Sequence, residues 1–144
     1  DRPLVTIPAD ATAVEAVRKL CEHRVGALLV LDGDGKLAGI VTHQDILRRC
    51  CQADDFAAVN RVPVSEVMTS NVIIAHPKDT LREAMEVMTK EGIRHLPVLD
   101  DKGVLIGIVA MGDLLRELYQ VDELKLRRLQ DYLGGIYGLR RGNG

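Results

Sequence analysis

Two stretches of the chain, residues 5–48 and 73–116, carry the same order of apolar and polar positions with no gap between them when aligned. Thr12 falls on Thr80, Leu28 on Leu96, Gly39 on Gly107 and Asp45 on Asp113. Roughly 15 of the 44 aligned positions are identical, which marks a duplicated structural unit. Most of the shared positions are aliphatic or glycine, as a common fold requires.

Within each unit the periodicity changes at the same places. Thr12-Ala-Val-Glu15 and Thr80-Leu-Arg-Glu83 have the form of capping boxes, in which the threonine and glutamate satisfy orphan amides at a helix start. Ala13, Ala16, Val17 and Leu20 then recur at helical spacing, as do Leu81, Ala84, Met85 and Met88. The short apolar runs Ala27–Leu31 and His95–Leu99 read as buried strands. Asp32-Gly-Asp-Gly35 and Asp100-Asp-Lys-Gly103 read as hairpin turns. Return strands follow over Leu37–Val41 and Leu105–Val109, and second helices start near His43 and Met111. A leading strand is expected over Leu4–Ile7 in the first unit and Val72–Ala75 in the second.

The unit is therefore strand–helix–strand–strand–helix, an α/β (α+β) pattern. About 45 residues bury little apolar surface alone, so the two units are expected to pack through their sheets. The chain divides into a first repeat (1–51), a connector (52–71), a second repeat (72–119) and a C-terminal segment (120–144). In the connector, Ser65 reads as the N-cap of a short helical turn. Leu114, Leu118, Val121, Leu124, Leu129, Tyr132 and Leu133 predict a helix that runs to about Leu133 and stops at Gly134-Gly135.

Composition narrows the functional classes. The chain has 144 residues, 47% of them hydrophobic, with no Trp and one Phe, so its core is aliphatic. A net charge of −2 argues against nucleic acid as the main partner. No apolar run approaches the roughly 20 residues of a membrane-spanning helix. No signal peptide is read at the start, and an opening Asp1 leads to the expectation that the natural start lies upstream. Cys21, Cys50 and Cys51 form neither a disulfide framework nor a zinc pattern, and a reduced, cytoplasmic setting is expected.

One repeated polar position needs its own reason. In Gly39-Ile-Val-Thr42-His-Gln-Asp45 and Gly107-Ile-Val-Ala110-Met-Gly-Asp113, a buried strand runs directly into a helix N-terminus. Free amides and the helix dipole attract anions there. A junction threonine can add a phosphate hydrogen bond, and an aspartate one turn later can accept from ribose hydroxyls. Thr42-x-x-Asp45 is equally the form of a helix cap. Asp113 nevertheless persists where Ala110 supplies no capping hydroxyl.

The duplicated unit, the Gly-Ile-Val-Thr-x-x-Asp ending and the Leu96-Pro97-Val98 strand together resemble a tandem cystathionine-β-synthase (CBS) domain pair, or Bateman module, over about residues 4–119. The resemblance implies two repeats related by a pseudo-twofold axis, with two clefts between them. It implies a non-catalytic regulatory module that senses an adenosine-containing ligand such as AMP, ADP, ATP or S-adenosylmethionine and passes a shape change to a partner protein. By position, Asp45 and Asp113 would hold ribose, and Thr42 phosphate or ribose. Ile40, Val72 and Ile73 would line the adenine slot of the first cleft; Ile108, Leu4 and Val5 would line that of the second. Arg94 and His95 would reach phosphates across the repeats into the Asp45 cleft. Gly26-Ala27 and Ala110 replace these features around Asp113, so unequal clefts are expected. Homodimers are implied too, with Leu20, Leu47, Met85 and Met88 on helices that could supply the face.

Two other classes compete. One is a structural pairing module, or a fragment of a larger enzyme or transporter, with no ligand of its own. The other is an enzyme, invited by His23, His43, His76, His95 and the three cysteines. None of these has zinc-ligand spacing, and no nucleophile–base constellation is evident.

Overall fold

The computed structural model describes residues 4–121. Both capping boxes close. The Glu15 amide donates to Thr12 Oγ1 at 3.3 Å and the Thr12 amide to Glu15 Oε2 at 2.8 Å, which starts α1 (Ala13–His23). The same pair of bonds joins Thr80 and Glu83 at 3.2 and 2.7 Å and starts α5 (Leu81–Glu91). Each helix ends on a left-handed residue, Arg24 (φ 52°) or Gly92 (φ 65°). Glycine adopts that conformation without a Cβ penalty, and arginine does not.

In the first repeat, β1 (Thr6–Pro8) runs parallel to β2 (Ala27–Leu31), and β2 pairs antiparallel with β3 (Leu37–Thr42). The β2–β3 turn is held by Asp32 Oδ1, which accepts from the Asp34 and Lys36 amides, each at 2.9 Å. β3 runs straight into α2 (His43–Gln52). The connector folds into α3 (Phe56–Val59) and α4 (Val64–Val67). Ser65 is not the cap of α4. Pro63 takes the cap position without a side-chain bond, and the Ser65 amide, already inside the helix, donates to Ala9 O. The connector then returns to the sheet, where Ile40 and Thr69 exchange two backbone bonds of 3.0 and 2.9 Å.

The second repeat repeats the pattern with α5, β4 (His95–Leu99), β5 (Leu105–Ala110) and α6 (Met111–Val121). It departs from expectation at its leading strand. Val72–Ala75 forms no strand, and only Ala75 pairs, with Val98. The register matches the first repeat, where Ile7 pairs with Val30. Two prolines explain the loss. In the first repeat the Leu29 amide donates to Val5 O and the Ala9 amide to Leu31 O, both at 3.1 Å. The equivalent residues are Pro97 and Pro77, which have no N–H to give. Ala75 keeps the remaining bonds, donating to Pro97 O at 2.8 Å and accepting from Leu99 at 3.0 Å. The first leading strand is also displaced, Thr6–Pro8 rather than Leu4–Ile7.

Each repeat has its own apolar cluster. One gathers Ile7, Ala16, Leu20, Leu28, Val30, Val41 and Val64; the other gathers Ala75, Met88, Leu96 and Leu114. A third cluster joins the sheets, with Ala27, Leu29 and Ile40 against Val72, Leu105 and Ile108. Leu20 and Met88 are buried in these cores, so they cannot offer a dimer face, whereas Leu47 is 61% exposed. The predicted continuation of the last helix to Leu133 and its stop at Gly134-Gly135 lie outside the described residues. Among the described residues no helix is long and apolar enough to cross a membrane.

Candidate functional site

The pairing of the sheets leaves a cleft on each side of the joining cluster. The first has a volume of about 290 Å³. Its walls include Ile40, Thr42, Asp45, Val72, Ile73, Arg94 and His95, all expected from the sequence. The second has a volume of about 20 Å³ and is lined by Val5, Gly26, Ala27, Ile108, Ala110 and Asp113. Leu4, expected in the second cleft, is 37% exposed and is not among its lining residues. His95, expected in the Asp45 cleft, lines both. A Cβ built on Gly26 would lie 3.3 Å from the His95 ring, so the small residue lets the histidine cross between the repeats.

The Asp45 cleft is built on the β3–α2 junction. Thr42 and Asp45 form a complete capping box. The Thr42 amide donates to Asp45 Oδ2 at 2.8 Å, and the Thr42 hydroxyl donates to the same oxygen at 3.0 Å. The Asp45 amide in turn donates to Thr42 Oγ1 at 3.3 Å. The capping reading of this motif is therefore realised. Oδ1 takes no part in the cap and meets Arg48 Nη1 at 3.5 Å, and both residues line the cleft. The Asp45 side chain is only 10% exposed.

The junction amides are partly spent as well. The His43 amide donates to Gly26 O at 3.3 Å, and His43 Nδ1 lies 3.2 Å from the same carbonyl, which can only accept. A ligand anion would therefore draw on the cleft's side chains more than on the helix end. Arg48 and Arg94 supply cationic groups, and Asp45 and Glu91 supply carboxylates.

Eight lining residues were not expected: His43, Gln44, Arg48, Thr69, Asn71, Glu91, Gly92 and Ile93. Thr69 and Asn71 come from the end of the connector. Their signal was faint, because the Ile40–Thr69 bridge that delivers them involves a segment outside the repeat alignment. Gly39 did carry a hint. A Cβ there would meet Met68 Sδ at 2.5 Å and Thr69 O at 2.8 Å, so only glycine lets the connector close on β3. At Gly107 the nearest atom to such a Cβ is Val98 Cβ at 4.0 Å.

Asp113 occupies the matching place in the second repeat. The Ala110 amide donates to its Oδ2 at 3.4 Å, and Arg116 Nη1 lies 3.6 Å from Oδ1. Ala110 supplies no hydroxyl to either a cap or a ligand. Among the described residues no group of three or more His, Cys, Asp and Glu side chains is arranged to hold a metal ion.

Comparison with known proteins agrees with this architecture. The family model for the CBS domain matches residues 1–51 and 64–120. A mitochondrial CBS domain-containing protein of Arabidopsis thaliana, CBSX3, is 36% identical over 132 residues; the match covers 89% of this chain and 63% of the plant protein. The CBS domain pair of protein MJ0100, solved with 5'-methylthioadenosine and S-adenosyl-L-methionine, superposes with a TM-score of 0.74 at 31% identity, covering 85% of this chain and 93% of that one. PAE2072 of Pyrobaculum aerophilum, a CBS domain protein solved with AMP, gives a TM-score of 0.72 at 29% identity over 83% of this chain and 94% of its own. The two repeats, their pairing through the sheets and the family match place the chain in the CBS domain family, as a CBS pair.

Proposed function

We propose that this CBS pair is a regulatory module that senses an adenosine nucleotide in the Asp45 cleft. The observation that carries the reading is the composition of the cavity of about 290 Å³. Ile40 of the first repeat and Val72 and Ile73 of the second line it, together with the Asp45 carboxylate and two arginines, Arg48 and Arg94. The volume stands at the lower edge of small-molecule sites. MJ0100 with 5'-methylthioadenosine and S-adenosyl-L-methionine, and PAE2072 with AMP, support adenosine ligands as the class.

In this reading the base lies between Ile40, Val72 and Ile73. The ribose hydroxyls donate to Asp45 Oδ1, and Thr42 lies beside the ribose or phosphate. Arg94 and His95 meet the phosphate. The Arg94 guanidinium favours the phosphate of AMP, ADP or ATP. The Asp113 cleft, lined by Val5, Ile108, Gly26 and Ala110, takes such a ligand poorly. The chain performs no catalysis of its own. It pairs as a homodimer, and occupancy of the cleft alters how it meets a protein partner.

The experiment is calorimetric titration with AMP, ADP, ATP and S-adenosylmethionine. The reading expects one phosphate-bearing ligand per chain. No heat and no thermal shift from any of the four would leave the alternative, a pairing module without a ligand.

A further inference from the structure

We infer that Pro97 is a positioning residue for the Asp45 cleft: by withholding one backbone amide it keeps the segment before Ala75 off the sheet and so keeps the cleft open. The ligand named in the test rests on the nucleotide reading above; the geometry does not.

In the first repeat the Leu29 amide donates to Val5 O at 3.1 Å, and β1 pairs over three residues. The second repeat has Pro97 in place of Leu29 and Ile73 in place of Val5. The ladder from β4 to β5 is unaffected, with Pro97 opposite Ile108, because the missing amide belongs to the other edge of β4. Pairing with the leading segment is confined to Ala75. Val72 and Ile73 remain half-buried on the cleft wall.

The cavity volumes differ in the same sense as this backbone pairing. Thr42 and Arg94 line the cleft of about 290 Å³. Their counterparts Ala110 and Gly26 line the cleft of about 20 Å³. At these two pairs of positions the bulkier residue lines the larger space. In the smaller cleft Val5, bonded through its carbonyl to the Leu29 amide, forms part of the wall with Leu29 and Ile108, and His95 enters from the other repeat. Ile73 has no equivalent hold on Pro97.

Pro97→Ala restores the amide without adding bulk, and Pro97→Leu restores the residue that the first repeat uses. Each variant is compared with the wild type by NMR amide exchange, thermal unfolding and AMP titration. The amide at residue 97 should exchange as slowly as that of Leu29. AMP affinity should fall about three- to tenfold, because a net backbone hydrogen bond must break to reopen the cleft. The melting temperature should not fall. A merely structural proline would lower melting temperature and affinity together, and that result overturns the inference. Fast exchange at residue 97 in both folded variants overturns it as well, as does slow exchange with unchanged affinity. If the wild type binds no AMP, the nucleotide reading falls, and a crystal structure of P97A then decides the inference. Ile73 O within hydrogen-bond reach of the new amide supports it; a longer separation overturns it.

Discussion

Asp45 holds Thr42 with one carboxylate oxygen and meets Arg48 with the other. Oδ2 accepts from the Thr42 amide at 2.8 Å and its hydroxyl at 3.0 Å, while Oδ1 meets Arg48 at 3.5 Å. Capping and ligand binding therefore need not compete for one atom. The cap and the proposed ligand contact make separable predictions.

Asp45→Ala should weaken AMP binding by roughly ten- to hundredfold, the equivalent of about 1.5–3 kcal/mol for hydrogen bonds to a charged acceptor. Loss of the cap should cost only about 1 kcal/mol of stability. Denaturant unfolding and calorimetry on the same preparation separate the two. A stability loss with intact affinity would mean that capping is the whole role of the residue.

Arg94→Ala should reduce AMP affinity much more than adenosine affinity, because in the proposed reading the guanidinium meets only the phosphate. Charge-assisted bonds are the stronger ones, so the ratio of the two affinities should change by about tenfold. Equal losses for the two ligands would place Arg94 away from the phosphate.

The two strand glycines should differ sharply. Gly39→Ala drives a Cβ to 2.5 Å from Met68 Sδ and 2.8 Å from Thr69 O. It should destabilise the fold by about 1–3 kcal/mol, as overpacking does, and should loosen the Ile40–Thr69 bridge. Gly107→Ala meets its nearest neighbour at 4.0 Å and should change stability by no more than about 1 kcal/mol. Urea unfolding of both variants checks the contrast.

Much of this architecture was legible because each local signal has a local cause. Thr12–Glu15 and Thr80–Glu83 name their helix starts, and β2 and β4 fall on Ala27–Leu31 and His95–Leu99 as the apolar runs predict. The resemblance to a CBS pair, laid over the repeat alignment, set Arg94 and His95 beside Thr42 and Asp45. Other features depend on partners far along the chain. Thr69 and Asn71 enter the cleft only because the connector pairs with Ile40. Val72–Ala75 has the composition of a strand, yet Pro97 and Pro77 remove the amides it needs. The prolines were visible, but their effect depends on which edge of β4 each amide would have faced. α3 had a readable start, since Asp55 Oδ1 accepts from the Ala57 amide at 2.9 Å, but its single turn was too short to announce itself.

Light scattering should report a particle of about twice the 15.8 kDa chain mass. Leu47, Leu115 and Tyr119 are each more than half exposed, which leaves apolar helix surface for a second copy to cover. A monomer at concentrations where the chain is saturated with AMP would show that sensing does not require pairing.

The central claim is that an adenosine nucleotide occupies the Asp45 cleft, and a crystal structure of the chain grown with AMP tests it most directly. The account predicts one AMP per chain, with its ribose hydroxyls on Asp45 Oδ1, its base between Ile40 and Ile73, and its phosphate on Arg94. AMP found only in the Asp113 cleft, or an Asp45 cleft left empty by crystals grown with excess AMP, would contradict it.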